Sequence, residues 1–412
     1  MLVILTTHPI QYQVPLWQRL AEAGEVEFEV WYMSDHAVRP SLDRDFGRVF
    51  AWDLDLLSGY PHRFLPGPQD ITSFRGTRLD DFGAALEKGG ATTLFVNGWQ
   101  TAGYWTAVWA AHRTGIPVWL RGESNDLHRT PVWKRWVKRR LLERLFARVD
   151  RFLAIGTANR RLYRSYGVAE RRLREAPYAV DNARFAAEAA RLAPQRAALR
   201  ARWGIEPDAF CVLFAGKLIA KKRPHDLVEA ARLLSQPAGR PGSEAGPALH
   251  LLFVGDGPLR ESLRAECRDG RDDHSPGALS TVARPRATFT GFLNQSEIPE
   301  AYAVADCLAL PSDHRETWGL VVNEAMASGV PCAVSDACGC AEDLVAPLDR
   351  GFVFRGGDPA DLARALRRLA AHPPERARLR AHIGRFSFDQ TVATIRDLAV
   401  EAASHAPVHV RG

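Results

Sequence analysis

The stretch "HRETWGLVVNEAMASGVP", His314–Pro331, carries two glutamates, Glu316 and Glu324, with seven residues between them. Glu316 falls in a polar turn. Glu324 falls among Val321, Val322, Ala325 and Met326, where a carboxylate is costly without partners. Just upstream, "DCLALPS" reads as a strand, "DHRET" as a loop, and "WGLVVNEAMASG" as a helix stopped by Gly329 and Pro331. That order aims the helix N-terminus at the carboxyl edge of a sheet. The backbone N–H groups of Trp318, Gly319 and Leu320 are expected there, where unpaired donors and the positive dipole end attract phosphate. Gly319 lets a ligand approach the backbone closely. An ionised Glu324 can accept from two neighbouring hydroxyls, as a ribose offers them, and Glu316 can reach a second polyol. A phosphate between two polyols describes a nucleoside diphosphate sugar. The spacing alone also fits an exposed helix glutamate and a loop cap, so the context has to separate the readings.

The context is "FAGKLIAKKRPHDLVEA". A strand ends at Ala215–Gly216, Lys217 follows it, and Lys222 lies just before a helix. Ligands of parallel sheets bind outside the carboxyl ends of the strands, so both lysines share an edge with the Glu316 loop. Two ammonium groups facing a diphosphate neutralise it and stabilise negative charge on a departing group. The competing reading makes Lys221, Lys222 and Arg223 an ordinary solvated turn. Gly255, in "VGDGPL", marks a third glycine turn at a strand end.

The same rhythm runs outward along the chain. "LVILTT", "EFEVWYMS", "TTLFVNGW", "PVWLRGES" and "RFLAIGT" read as strands of the first half, separated by helical patterns such as "PLWQRLAEAG". "AFCVLFAGKL", "ALHLLFVGDGP", "ATFTGFL", "DCLALPS" and "PCAVSD" do the same in the second. Strands alternating with helices of this length predict α/β architecture: two Rossmann-like, doubly wound domains of parallel sheet. The predicted domains are 1–180 and 181–385, with the link near "PYAVDNARF", followed by a helix over 386–412. Segments 235–248 and 268–286, rich in Gly, Pro and Arg, read as exposed loops.

At 412 residues the chain exceeds one ordinary core. It holds no apolar run long enough to span a bilayer, and "MLVILTTHPIQY" reads as a buried first strand rather than a leader. Six cysteines without metal or redox spacing read as reduced thiols of a cytoplasmic protein. The formal charge is +6, yet residues 129–174 hold fifteen Lys/Arg against three Asp/Glu. Much of that excess lies in "TPVWKRWVKRRLLERLFARVD". Pro131 suits a first helical position, and Trp133, Val137, Leu141 and Leu145 step by four along one face. A basic helix over 131–151 with tryptophans suits anionic lipid head groups at the inner face of a cytoplasmic membrane. It equally suits a domain helix that buries its apolar face and solvates its charges. No nucleic-acid motif accompanies the charge, and no nucleic-acid partner is expected. Asp53-x-Asp55 and Asp43-x-Asp45 follow no clear strand end, and no metal or other cofactor is expected.

Taken in order, "GKLIAKK", "FVGDGPLRESL", "FTGFL", "PSDHRETWGLVVNEAMASGVPCAVSDACGCAEDLV" and "GFVF" resemble the retaining glycosyltransferases of the family 4 type with the GT-B fold. The resemblance covers nearly the whole second half. It implies two domains facing each other across a cleft, with the nucleotide-sugar donor held by the second and a C-terminal helix crossing back to the first. By the resemblance, Lys217 and Lys222 hold the donor diphosphate; the first is more usually Arg in the family. Glu316 holds the transferred sugar and Glu324 the ribose. Thr317, Trp318, Gly319 and Leu320 present backbone N–H groups, and Phe292 with Leu293 lies against the base.

The first half resembles the family less closely. "TTHPIQYQVP" replaces a glycine-rich loop, which places His8 and Gln11 near donor or acceptor. Arg121-Gly122-Glu123 stands where a histidine often follows the strand, so Arg121 and Glu123 are candidates near the anomeric carbon; they also read as a structural pair. Trp99, at another strand end, is a candidate for the acceptor side. The implied reaction moves a sugar from a UDP- or GDP-linked donor to the hydroxyl of a sugar, lipid-linked or small-molecule acceptor, in cell-surface polysaccharide or glycolipid synthesis. Two other readings fit the same fold: a nucleotide-sugar epimerase or hydrolase, and a non-catalytic nucleotide-sugar-binding subunit.

Overall fold

The computed structural model describes residues 1–36, 38, 41–43, 48–50, 52–67, 70–127, 132–235, 248–269 and 284–404. Residues 236–247 and 270–283, the bulk of the two segments read as loops, lie outside that description. The chain divides into two compact units, one of residues 1–41, 54–178 and 387–412, the other of residues 42–53 and 179–386. The passage 42–53, which the sequence reading gave to the first domain, thus belongs with the second unit.

The first unit is built on Leu2–Thr6 (β1), Phe28–Tyr32 (β2), His62–Phe64 (β3), Thr93–Val96 (β4), Val118–Leu120 (β5), Arg151–Ala154 (β6) and Leu173–Glu175 (β7). They form one parallel sheet in the order β3-β2-β1-β4-β5-β6-β7. The central strand β1 is buried along its whole length, as an unbroken Leu-Val-Ile-Leu run requires when helices cover both faces of a sheet. Its helices are Val14–Ala23 (α1), Phe82–Lys88 (α2), Ala102–Arg113 (α3), Val132–Phe146 (α4) and Thr157–Ser165 (α5). Strands β3 and β7 escaped the sequence reading because three residues carry no periodicity.

The second unit opens with Asn182–Leu192 (α6), capped by Asp181, whose side chain accepts from Arg184 N at 2.9 Å, and Arg196–Arg202 (α7). Its strands are Phe210–Ala215 (β8), Leu249–Val254 (β9), Arg268–Asp269 (β10), Arg286–Gly291 (β11), Cys307–Leu310 (β12), Cys332–Ser335 (β13) and Val353–Phe354 (β14). They also run parallel, in the order β10-β11-β9-β8-β12-β13-β14. Helices Pro224–Ser235 (α8), Arg260–Glu266 (α9), Ile298–Val304 (α10), Leu320–Ala327 (α11), Pro359–Ala371 (α12) and Arg376–Ile383 (α13) cover it. The α/β class and the two Rossmann-like units are as expected. Chain order reverses between β9 and β12 on either side of β8, which makes the carboxyl ends of β8 and β12 the switch point of this sheet.

The last helix, Phe388–Ser404 (α14), returns to the first unit and packs on α1 and β7. It buries Phe388, Ile395 and Leu398 there, and Thr394 Oγ1 donates to Glu175 O at 2.7 Å.

Candidate functional site

Beyond β8 the backbone turns through Gly216, whose φ of 146° favours glycine, and enters a short 3-10 turn at Ala220–Lys222 ahead of α8. Asp313 N, just past β12, donates to Lys221 O at 2.8 Å, so the two loops of the switch point are tied together. Across that tie the Lys222 ammonium and the Glu316 carboxylate form an ion pair. Both side chains are largely removed from solvent, at 15% and 14% exposure. A Cβ on Gly216 would stand 3.9 Å from Lys222 Cε, which places the lysine stem over the end of β8 next to Lys217.

Helix α11 starts at Leu320, two residues later than the sequence predicts, because Gly319 caps it at φ 107°. A Cβ at Gly319 would meet Leu310 Cδ2 at 2.6 Å and lie 3.8 Å from Glu316 Cγ. Strand end, glycine and Glu316 therefore share one tight corner. The Trp318 ring does not face a ligand: it is 2% exposed, and its Nε1 donates to Asn323 Oδ1 at 2.8 Å. Thr317 is exposed and Leu320 half-buried. Behind the corner, Gly339 N donates to Glu316 O at 3.3 Å and Cys340 N to Trp318 O at 3.2 Å. Burial, reinforced by the Glu316 charge, holds the Cys338 thiol well above its ordinary pKa, so it stays protonated.

Glu324 is buried, at 2% exposure, and its Oε2 accepts from Tyr302 Oη at 2.5 Å. Tyr302 comes from α10 and meets Phe185 of α6 edge-on at 5.9 Å. It escaped the sequence reading, for nothing in "EIPEAYAVA" marks a tyrosine that meets a carboxylate from another helix. Gly255 has a packing reason: at φ 131° its Cβ would fall 2.0 Å from Gly216 O, so the turns after β8 and β9 touch backbone to backbone. Phe292 and Leu293 are half-buried, and Phe292 lies 6.0 Å from the Trp52 ring. Beside them Asp53 accepts from Gln295 N at 3.1 Å and Ser296 N at 3.0 Å. In the first unit Asp55 accepts from Leu57 N and Ser58 N. Asp55 thus shapes its own turn, while Asp53 ties its segment to the backbone at 295–296. The side chains of Asp43 and Asp45 lie outside the described residues.

In the first unit, His8 and Gln11 follow β1 and are half-buried. His8 Nδ1 lies 3.0 Å from Thr7 Oγ1, and its ring meets His36 edge-on at 5.3 Å. Burial, with the neighbouring His36, pushes the His8 pKa down to about 4. Trp99 turns inward, edge-on to Phe146 at 5.5 Å, and stands where a Cβ on Gly122 would sit, 1.9 Å away. Arg121 and Glu123 make no direct ion pair, although the Glu123 charge acts on the buried guanidinium and both side chains meet Tyr178. The buried Arg121 guanidinium donates to Ala176 O at 3.3 Å and Pro177 O at 3.1 Å and lies over the Tyr178 ring at 5.2 Å. Glu123 accepts from Tyr178 Oη at 2.5 Å. Arg121 therefore braces the backbone that leaves the unit, while Glu123 remains at the carboxyl end of β5.

The basic helix spans Val132–Phe146 rather than 131–151, and Arg151 opens β6. Among its described side chains Leu142, Leu145 and Phe146 are buried, whereas Trp136, Val137 and Leu141 are 61%, 46% and 46% exposed. The predicted stripe is therefore half turned outward. No helix among the described residues is long and apolar enough to cross a membrane.

Comparison with known proteins agrees with this geometry. Residues 195–383 match the family model of glycosyl transferases group 1, and residues 10–179 that of a glycosyl transferase 4-like domain. The chain belongs to the glycosyltransferases of the family 4 type with the GT-B fold. A D-inositol 3-phosphate glycosyltransferase of Streptomyces bingchenggensis is 35% identical over 52% of this chain and 45% of its own. A 2-deoxystreptamine glucosyltransferase of Streptomyces kanamyceticus is 34% identical over 52% and 50%. The chain thus spans about half the length of the curated relatives it matches. Among solved structures, Anabaena HepE in complex with UDP and glucose superimposes with a TM-score of 0.63 at 17% identity, over 98% of this chain and 99% of that one.

Proposed function

We propose that this protein is a retaining glycosyltransferase that moves a sugar from a nucleoside diphosphate donor, UDP- or GDP-linked, to an acceptor hydroxyl. The observation that carries the reading is the Lys222–Glu316 ion pair at the switch point of the second sheet, beside the Gly319 corner. Each half of that pair has a new partner in a nucleotide sugar. Lys222, with Lys217, turns to the diphosphate, and Glu316 accepts from hydroxyls of the sugar. Glu324, one to two turns along α11, takes the ribose hydroxyls, with Tyr302 orienting its carboxylate. The backbone from Thr317 to Leu320 faces the phosphates, and Phe292 with Leu293 the base. His8, Gln11, Trp99 and Glu123 are kept as candidates for the acceptor side and the anomeric carbon.

In the reaction the anomeric carbon–phosphate oxygen bond breaks as the acceptor oxygen bonds to the same face. Attack on that face retains configuration, and the acceptor proton passes to the departing phosphate oxygen, so no strong protein base is needed. Negative charge grows on that phosphate, and the two lysines stabilise it; loss of such a contact typically slows reaction by a factor of about 100 or more. The reading assigns this charge to lysines and requires no metal. HepE was solved with UDP and glucose, and the two curated relatives are named for cyclitol acceptors, which supports a sugar donor and a polyol hydroxyl as acceptor. The exposed Trp136, Val137 and Leu141 on the basic helix favour a lipid-linked acceptor met at the cytoplasmic membrane surface, in glycolipid or surface polysaccharide synthesis.

The test is a panel of labelled UDP- and GDP-sugars with polyol, sugar and membrane-lipid acceptors, run with and without EDTA. Transfer that survives EDTA and is lost in Lys222→Ala supports the reading. Donor conversion without acceptor, or binding without turnover, overturns it.

A further inference from the structure

The outward half of α4 does not stand alone. Val137, Leu141 and Leu142 line a groove with a volume of about 740 Å³ together with Phe74, Trp99 and Trp105. Lys138 lines it as well. Phe74 is 52% exposed, so with Val137 and Leu141 three large apolar side chains stand in water around one depression. These aromatic residues are tied to one another: Phe74 meets Trp105 edge-on at 6.2 Å, Trp105 Nε1 donates to Trp99 O at 2.9 Å, and Trp99 packs on Phe146. One of its lining residues, Trp99, lies just past the carboxyl end of β4, and β1 and β4 are the strands where chain order reverses in this sheet.

We infer that this groove holds one hydrocarbon chain of an anionic membrane lipid. Charge complementarity selects that occupant. Lys138 and Arg140 are exposed beside the apolar walls, Arg140 lies 5.6 Å over the exposed Trp136 ring, and Arg148 caps Trp109 at 4.4 Å. Arg139 is taken by Glu143 at 2.7 Å, the one acidic residue of the helix, and Lys138 and Arg140 are the cations beside the groove that an anionic head group would meet. An apolar cleft with a cationic rim and a tryptophan at its border matches a lipid at the interface: chain in the cleft, phosphate at the rim. The inference deepens the lipid-acceptor reading of the proposed function and rests on it for the chain's role. The groove itself is tested independently of any transfer.

The experiment uses the full chain and vesicles of phosphatidylcholine alone or with 30% phosphatidylglycerol, the latter also with acyl chains brominated at mid-depth. Expected results are partition onto the anionic vesicles, and quenching of tryptophan emission by the brominated chains. Val137→Glu with Leu141→Glu should weaken partition roughly tenfold or more. Leu141→Ser should weaken it less, and Lys138→Gln with Arg140→Gln should remove its salt dependence. These side chains are exposed, and unchanged melting will show that the variants fold. Partition unaffected by the glutamates, or absence of quenching, overturns the groove assignment, as does self-association that the same glutamates abolish without any vesicle binding. UDP binding, followed by thermal shift on the same samples, separates the two readings. If UDP binding fails while lipid quenching persists, the donor site is wrong and the groove stands; the reverse result sinks the groove alone.

Discussion

Glu324 is the residue where burial and charge oppose each other most directly. A carboxylate at 2% exposure needs donors, and Tyr302 supplies one at 2.5 Å. Tyr302→Phe removes that hydrogen bond and little volume. We expect about 1–3 kcal/mol less stability of the second unit in urea unfolding, and several-fold weaker UDP binding by calorimetry. Unchanged UDP affinity in Tyr302→Phe would leave Glu324 a structural residue. His8 offers a different residue-scale test. Its pKa is pushed down to about 4 from an ordinary 6.5. Between those values the unfolded chain binds a proton that the folded chain refuses, so stability is full above pH 6.5 and falls with acidification toward pH 4. From pH 7 to pH 5 the loss from this group is about 2 kcal/mol. His8→Asn should flatten the pH dependence of first-unit melting across that window; an identical slope in the variant would rule the histidine out as its source.

Elements are set by fewer residues than their length suggests, and Gly319 is the clearest case. Its φ of 107° and the 2.6 Å approach of a Cβ to Leu310 Cδ2 fix where α11 begins and hold Glu316 beside it. Gly319→Ala should cost about 2–4 kcal/mol through backbone strain and overpacking and disorganise the Lys222–Glu316 corner. Lost UDP affinity together with a lowered melting temperature is expected, and a variant as stable as the parent would contradict it. The corner of Lys222, Glu316 and Gly319 was legible in the sequence, because each lies in the few residues that follow a strand of the second sheet. Tyr302 was not, since its partner lies on another helix, and neither was Asp53, which bonds Gln295 N and Ser296 N across 242 and 243 residues of sequence. The apolar spacing of α4 was legible, but not its direction. Period alone cannot tell a stripe that meets the core from one that leaves Val137 and Leu141 in water.

At the scale of the whole molecule the chain is two cores, and the first is completed by its last helix. Residues 387–412 group with the first unit although 179–386 intervene. Helix α14 brings Phe388, Ile395 and Leu398 to that unit as buried side chains. Thr391 Oγ1 donates to Pro177 O at 3.2 Å, and Glu401 pairs with both Arg151 and Arg174. The ion pairs are half exposed and contribute little; the apolar burial is worth about 5 kcal/mol. A chain ending at Phe386 loses all of this from the first unit, while the second keeps its sheet, its helices and the Lys222–Glu316 corner. In calorimetry the parent should show two transitions, of which UDP raises one. In the truncated chain the UDP-insensitive transition should fall by roughly 10 °C or more or disappear, with the UDP-sensitive one in place. If truncation instead lowers the UDP-sensitive transition and leaves the other unchanged, α14 serves the second core and the division of the chain given above is wrong.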